Sequence, residues 1–142
     1  MQHLAPSSPA ARASALRAGL VALATVQLVQ GLLLALAPGA FYDALADFGP
    51  RNDHDLRDMS AFYLASAVVL ALSVSRPSWR APALALVSLQ FALHTVNHVI
   101  DAGASDPSWV GPLDVVTLAL GTLLIGWLYR AAAAAAEPEG GR

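Results

Sequence analysis

Four runs free of internal charge divide the chain: 18–37, 59–75, 81–100 and 113–129, the last carrying Asp114 at its start. An α-helix rises about 1.5 Å per residue, so about 20 apolar residues cross a hydrocarbon core of about 30 Å. The first and third runs meet that length, and the second and fourth reach the short end of the spanning range. Pro38-Gly39, the basic turn Arg76-Pro77-Ser78-Trp79-Arg80 and the acidic loop 101–112 separate them. After the first run, Phe41, Ala44, Leu45 and Phe48 recur at helical spacing against Asp43 and Asp47. That predicts a short amphipathic helix at the membrane surface over 40–48. Gly49-Pro50 ends it, and the most polar stretch follows at 51–58. Short connections favour antiparallel neighbours, and a backbone in lipid satisfies its hydrogen bonds within helices. The pattern therefore predicts an all-α, transmembrane up-down four-helix bundle over 18–130 with a short interfacial helix after the first span. Tails occupy 1–17 and 131–142, and the six alanines at 131–136 extend the last helix beyond the membrane.

A secretory signal peptide is a competing reading of the first run. Arg12 and Arg17 would be its basic region, and Ala35-Leu36-Ala37 resembles a small-residue cleavage site. The run is longer than the usual apolar core of about 7–15 residues, which favours a retained span.

Composition agrees with a membrane protein. Of 142 residues, 56% are hydrophobic and 13% charged, against about 25% charged in a soluble domain. Lys and Arg total 8 and Asp and Glu 10, a net charge of −2 that excludes a general nucleic-acid binder. The chain has no Cys, which excludes disulfides, thiolate metal sites, iron–sulfur clusters and thiol nucleophiles. The lipid bilayer is the partner this composition demands; a homo-oligomer or a larger membrane complex stays open.

The charges are also sorted. Arg12, Arg17, Arg76, Arg80, Arg130 and Arg142 lie in the two tails and the middle turn, and only Arg51 and Arg57 lie in the other connections. The positive-inside rule puts both termini in the cytoplasm. Asp43, Asp47, Asp53, Asp55, Asp58, Asp101, Asp106 and Asp114 then all fall on the outer side. Trp79, Trp109, Trp127 and Tyr129 fit interfacial anchors.

The third run carries the polar residues of interest. Gln90, His94, Asn97, His98 and Asp101 form one stripe rising from mid-membrane to the outer surface. Polar groups facing lipid are costly, so the stripe turns towards the bundle interior or a water-filled cavity. Gln27 and Gln30 on the first span, His54, Asp55, Arg57 and Asp58 before the second, and Asp114 on the fourth converge on the same end. Two functional readings fit. His94 and His98 at i, i+4 can ligate a metal ion, with His54, Asp58 or Asp101 adding donors, or the pocket can bind a small ligand or relay protons. The structural reading has Gln90, His94 and Asn97 bonding to Gln27 and Gln30 to hold the bundle together. It has Asp53 or Asp55 capping the second span and Asp114 as a first-turn acid behind Pro112. Other activities fit poorly. A bis-histidine haem needs histidines on facing helices, and only the third span has them. HExxH, Walker A and GxSxG patterns are absent, and no carboxylate lies in mid-membrane, which disfavours a small proton-coupled exporter built on a central Glu and leaves a small transporter as the less favoured alternative.

Several of these features resemble the DoxX-like proteins and related small four-span bacterial membrane proteins. They are Gly31 to Pro38 closing the first span, Phe41-Tyr42, the stretch 52–58 leading into Tyr63-Leu64-Ala65, and His94-Thr95-Val96-Asn97-His98. The resemblance implies the fold, a bacterial plasma-membrane location and, from some relatives, an accessory role in membrane redox complexes. No residue motif here carries that activity.

The topology is directly testable. Reporter fusions in both tails and within Arg76–Arg80 should report cytoplasm, and a fusion at Asp106 the opposite side. A cytoplasmic Asp106 would refute the orientation.

Overall fold

A computed structural model describes residues 8–45, 49–105 and 107–136. The helices are α1 (Pro9–Leu36), α2 (Pro38–Leu45), α3 (Asp53–Ser75), α4 (Pro77–Asp101) and α5 (Val110–Ala136). Four of them, α1, α3, α4 and α5, are long and apolar enough to span a bilayer. The protein is an all-helical, multi-pass membrane bundle with a short α2 between its first two spans.

The helices run past the charge-free segments at both ends, because polar residues in the interfacial region cost a helix little. α1 starts at Pro9 rather than at residue 18, with Ser8 Oγ accepting from Ala11 N at 3.2 Å and Pro in the first turn. α3 starts at Asp53, and its cap is Asn52, not Asp53 or Asp55. Asn52 Oδ1 accepts from His54 N at 3.1 Å, leaving the two aspartates as first-turn acids. The basic turn shrinks to Arg76, because Pro77 suits the first helical position and α4 begins there. Arg80 reaches back instead, donating to Ser73 O at 3.1 Å and Val74 O at 2.9 Å at the end of α3. Its guanidinium thereby satisfies carbonyls that the helix end leaves open. α5 starts at Val110, so Asp114 lies beyond the first turn and is not the first-turn acid expected. The surface element expected at 40–48 is helical over Pro38–Leu45, and 46–48 lie outside the described residues.

Packing is uneven. α1 lies extensively on α3 and α4 on α5, while α3 meets α4 less and α1 barely meets α5. Glycines allow the tight approaches. A Cβ on Gly31 would sit 2.8 Å from Leu64 Cγ and 3.1 Å from its backbone N, and one on Gly19 would sit 2.7 Å from Leu128 Cδ2. The two helix pairs are joined at the end bearing the arginines by Leu16, Leu20, Leu70, Leu84, Val87 and Leu128. At the aspartate end a separate cluster of Leu34, Phe41, Leu56 and Tyr63 packs α1, α2 and α3 among themselves. No described α4 or α5 residue belongs to it.

Gly31→Ala should therefore lower the thermal stability of the detergent-solubilised protein by about 1–3 kcal/mol through overpacking against the Leu64 backbone. Gly126→Ala, whose Cβ would find only Ser88 Oγ at 3.7 Å, should leave it unchanged or raise it. Equal effects would contradict the close α1–α3 contact.

Candidate functional site

The separation of the helix pairs at the aspartate end opens a cleft of about 890 Å³. That size lies within the range of about 300–1,000 Å³ typical of small-molecule sites. One wall is polar and belongs to α4 and α5: His94, Asn97, His98, Asp101, Asp114 and Thr117. The facing wall is largely apolar and comes from α1, α2 and α3, with Val29, Leu33, Phe41, Leu56 and Met59. Gln30, Asn52, Asp55, Tyr42 and Tyr63 add polar groups to that wall.

The helical period explains the polar wall. His94 and His98 stand one turn apart, their ring centroids 4.6 Å apart and their planes crossed at 80°. His98 Nδ1 lies 3.6 Å from Asp114 Oδ2, both side chains being mostly buried, which links α4 to α5. Below this pair, Thr95 and Thr122 share a hydrogen bond of 3.1 Å, and Thr95 Oγ1 also meets Phe91 O at 2.7 Å. The loop above is tightened by Gly111, whose N donates to Ser105 Oγ at 2.8 Å. A Cβ on Gly111 would fall 2.1 Å from Ala102 O, so only glycine allows α5 to start this close to the end of α4.

At the rim, Asn52 Nδ2 donates to Asp55 Oδ2 at 2.6 Å. Arg51 Nε donates to Asp53 Oδ1 at 2.5 Å and Nη2 to Oδ2 at 3.0 Å, a bidentate pair that turns this arginine's charge onto its neighbour. That carboxylate raises the Arg51 guanidinium above its ordinary value. Tyr42 donates its hydroxyl proton to Gly49 O and ties α2 to the segment that leads into α3.

The expected site residues divide. His94, Asn97, His98, Asp101, Asp114, Gln30 and Asp55 come together around the cleft. His54 and Asp58 do not line it. They pair with each other at 3.5 Å on the opposite face of α3, with side chains 81% and 71% exposed. Arg57 is exposed beside them and outside the lining. The five-residue metal set His54, Asp58, His94, His98 and Asp101 is therefore not assembled. Among the described residues no three His, Asp or Glu form a group able to hold a metal ion. The reason is register: the α3 residues turned inward are Leu56, Ser60 and Tyr63, which places His54 and Asp58 outward.

Gln27 and Gln90 lie outside the cleft lining as well. Gln27 is fully buried, and neither its Nε2 nor its Oε1 has a hydrogen-bond partner among the described residues. The Gln90 side chain meets the hydroxyl of Tyr63, a residue that lines the cleft. α1 and α4 occupy opposite corners and their backbones do not approach, so the glutamines of α1 do not bridge to the stripe of α4 as the structural reading required. Thr117, Leu118, Asn52 and Met59 are lining residues that the sequence did not single out. Thr117 stands one turn beyond Asp114 on α5, and that spacing is the signal that could have found it.

Comparison with known families decides one further point. A family model described as a domain of unknown function, DUF4345, matches residues 15–132. The chain belongs to the DUF4345 family. The match includes part or all of each of the four spans and does not by itself connect the chain to the DoxX-like proteins. No curated protein and no solved structure matches it.

Proposed function

We propose that this DUF4345 protein is a membrane-embedded binding protein that receives a small ligand in the cleft between its two helix pairs. The observation that carries this reading is the cleft itself. About 890 Å³ of space is bounded by a polar wall and an apolar wall, the combination that orients a ligand and holds its body. A structural role for the polar stripe leaves two facts unexplained. A stripe serving only to pack helices would be closed by its partners, whereas α1 barely meets α5 here. One of the two glutamines that such a role recruits, Gln27, bonds to no described residue. With both termini in the cytoplasm, as the arginines argue, and in the bacterial plasma membrane that the DoxX-like resemblance implies, the cleft opens towards the outside. An accessory redox role, implied only by the DoxX-like resemblance, finds no residue of the cleft that requires it.

Three probes of similar bulk and different charge test this reading in nanodiscs: tetraphenylphosphonium, tetraphenylborate and neutral triphenylphosphine oxide. At least one should bind saturably, above protein-free discs. That binding should be lost when Thr117→Trp fills the cleft and reduced in the His94→Ala, His98→Ala double variant, with helix content unchanged. Absence of saturable binding of all three, or binding that survives Thr117→Trp, would overturn the proposal.

A further inference from the structure

We infer that the cleft selects a lipid-soluble organic cation, an inference that rests on the binding-cleft reading above. Three carboxylates, Asp55, Asp101 and Asp114, line the cavity, and no described Arg or Lys does. The two arginines of this end are directed elsewhere: Arg51 is held bidentately by Asp53, and Arg57 is exposed outside the lining. His94 and His98 line the cleft too, and a proton on each would still leave the three carboxylates in excess. An anionic head would be repelled by all three, most by the half-buried Asp114, where Coulomb interactions are stronger than in water, and less by Asp55 and Asp101 at the exposed rim. A cationic head meets attraction from the same groups and from the half-buried ring of Tyr42, which also lines the cleft.

Solubility in lipid follows from the opposite wall and from the way in. Val29, Leu33, Leu56 and Met59 supply an apolar bed facing the polar groups. Of the neighbouring long-helix pairs, α1 and α5 share the least contact, so the cleft is least closed on a side that faces the bilayer. A molecule already dissolved in the membrane reaches it there without crossing water. The separation of charge from apolar surface matches an amphiphile with one cationic centre rather than a hydrophilic metabolite.

The same three probes distinguish this inference from the broader one. In nanodiscs of zwitterionic lipid, tetraphenylphosphonium should bind at least about tenfold more tightly than tetraphenylborate, its anionic counterpart of similar shape. Asp55→Asn with Asp114→Asn should weaken the phosphonium about tenfold or more and the uncharged triphenylphosphine oxide several-fold less. Asp55→Asn alone, at an exposed rim position, gives a smaller loss in the same direction and guards against misfolding of the double variant. If the oxide or the borate binds as tightly as the phosphonium, the cleft binds ligands and its selectivity for cations is refuted. If none of the three saturates, both readings fall.

Discussion

Leu20, Leu70 and Leu84, each fully shielded from solvent, fasten one helix pair to the other at the arginine end of the bundle. The rest of the architecture depends on that junction. α1 is committed to α3 by the Gly31–Leu64 contact, and α4 to α5 by the Thr95–Thr122 bond and the Gly111 approach to Ala102. Two tight pairs joined at one end must either meet again at the other or stand apart. They stand apart, because the residues that would meet are unlike. Leu34, Phe41, Leu56 and the ring of Tyr63 pack on one another within the first pair, while the Tyr63 hydroxyl reaches Gln90 of the second. His94 packs edge-on against His98, and His98 approaches Asp114, within the second. Neither group offers the other a matching surface, and the space between them is the cleft.

The spans were legible in the sequence because an unpaired charge is very costly in hydrocarbon, so a helix that crosses lipid must be written as a long charge-free run. Their ends were not. Pro9, Pro77 and Asn52 start helices in segments that read as tail, turn and loop, since capping residues and proline at the first turn belong equally to helices and to connections. The polar wall of α4 was also readable, because His94, Asn97, His98 and Asp101 keep the helical period and lipid tolerates such a stripe poorly.

The face of α3 was harder to assign. Its first turns carry His54, Asp55, Arg57 and Asp58 on all sides, so polarity alone does not say which of them turns inward. The buried series Leu56, Ser60, Tyr63, Ala67 and Leu70 settles the register and sends His54 and Asp58 outward. Grouping by height along the membrane gathered residues that share a level but not a face. Gln27 shows the same limit: it is near the stripe in depth and separated from it by the diagonal of the bundle.

The central claim is that the two helix pairs touch at one end and part at the other. The chain has no cysteine of its own, which makes disulfide trapping in membranes the most direct measurement. Gly19→Cys with Leu128→Cys, at the closed end where the two positions are in contact, should cross-link readily under mild oxidation. Val29→Cys with Leu118→Cys, on facing walls of the cleft, should not form a direct disulfide but should be bridged by a longer bifunctional maleimide. Rapid disulfide formation by the second pair would show that the bundle is closed throughout and would contradict the account.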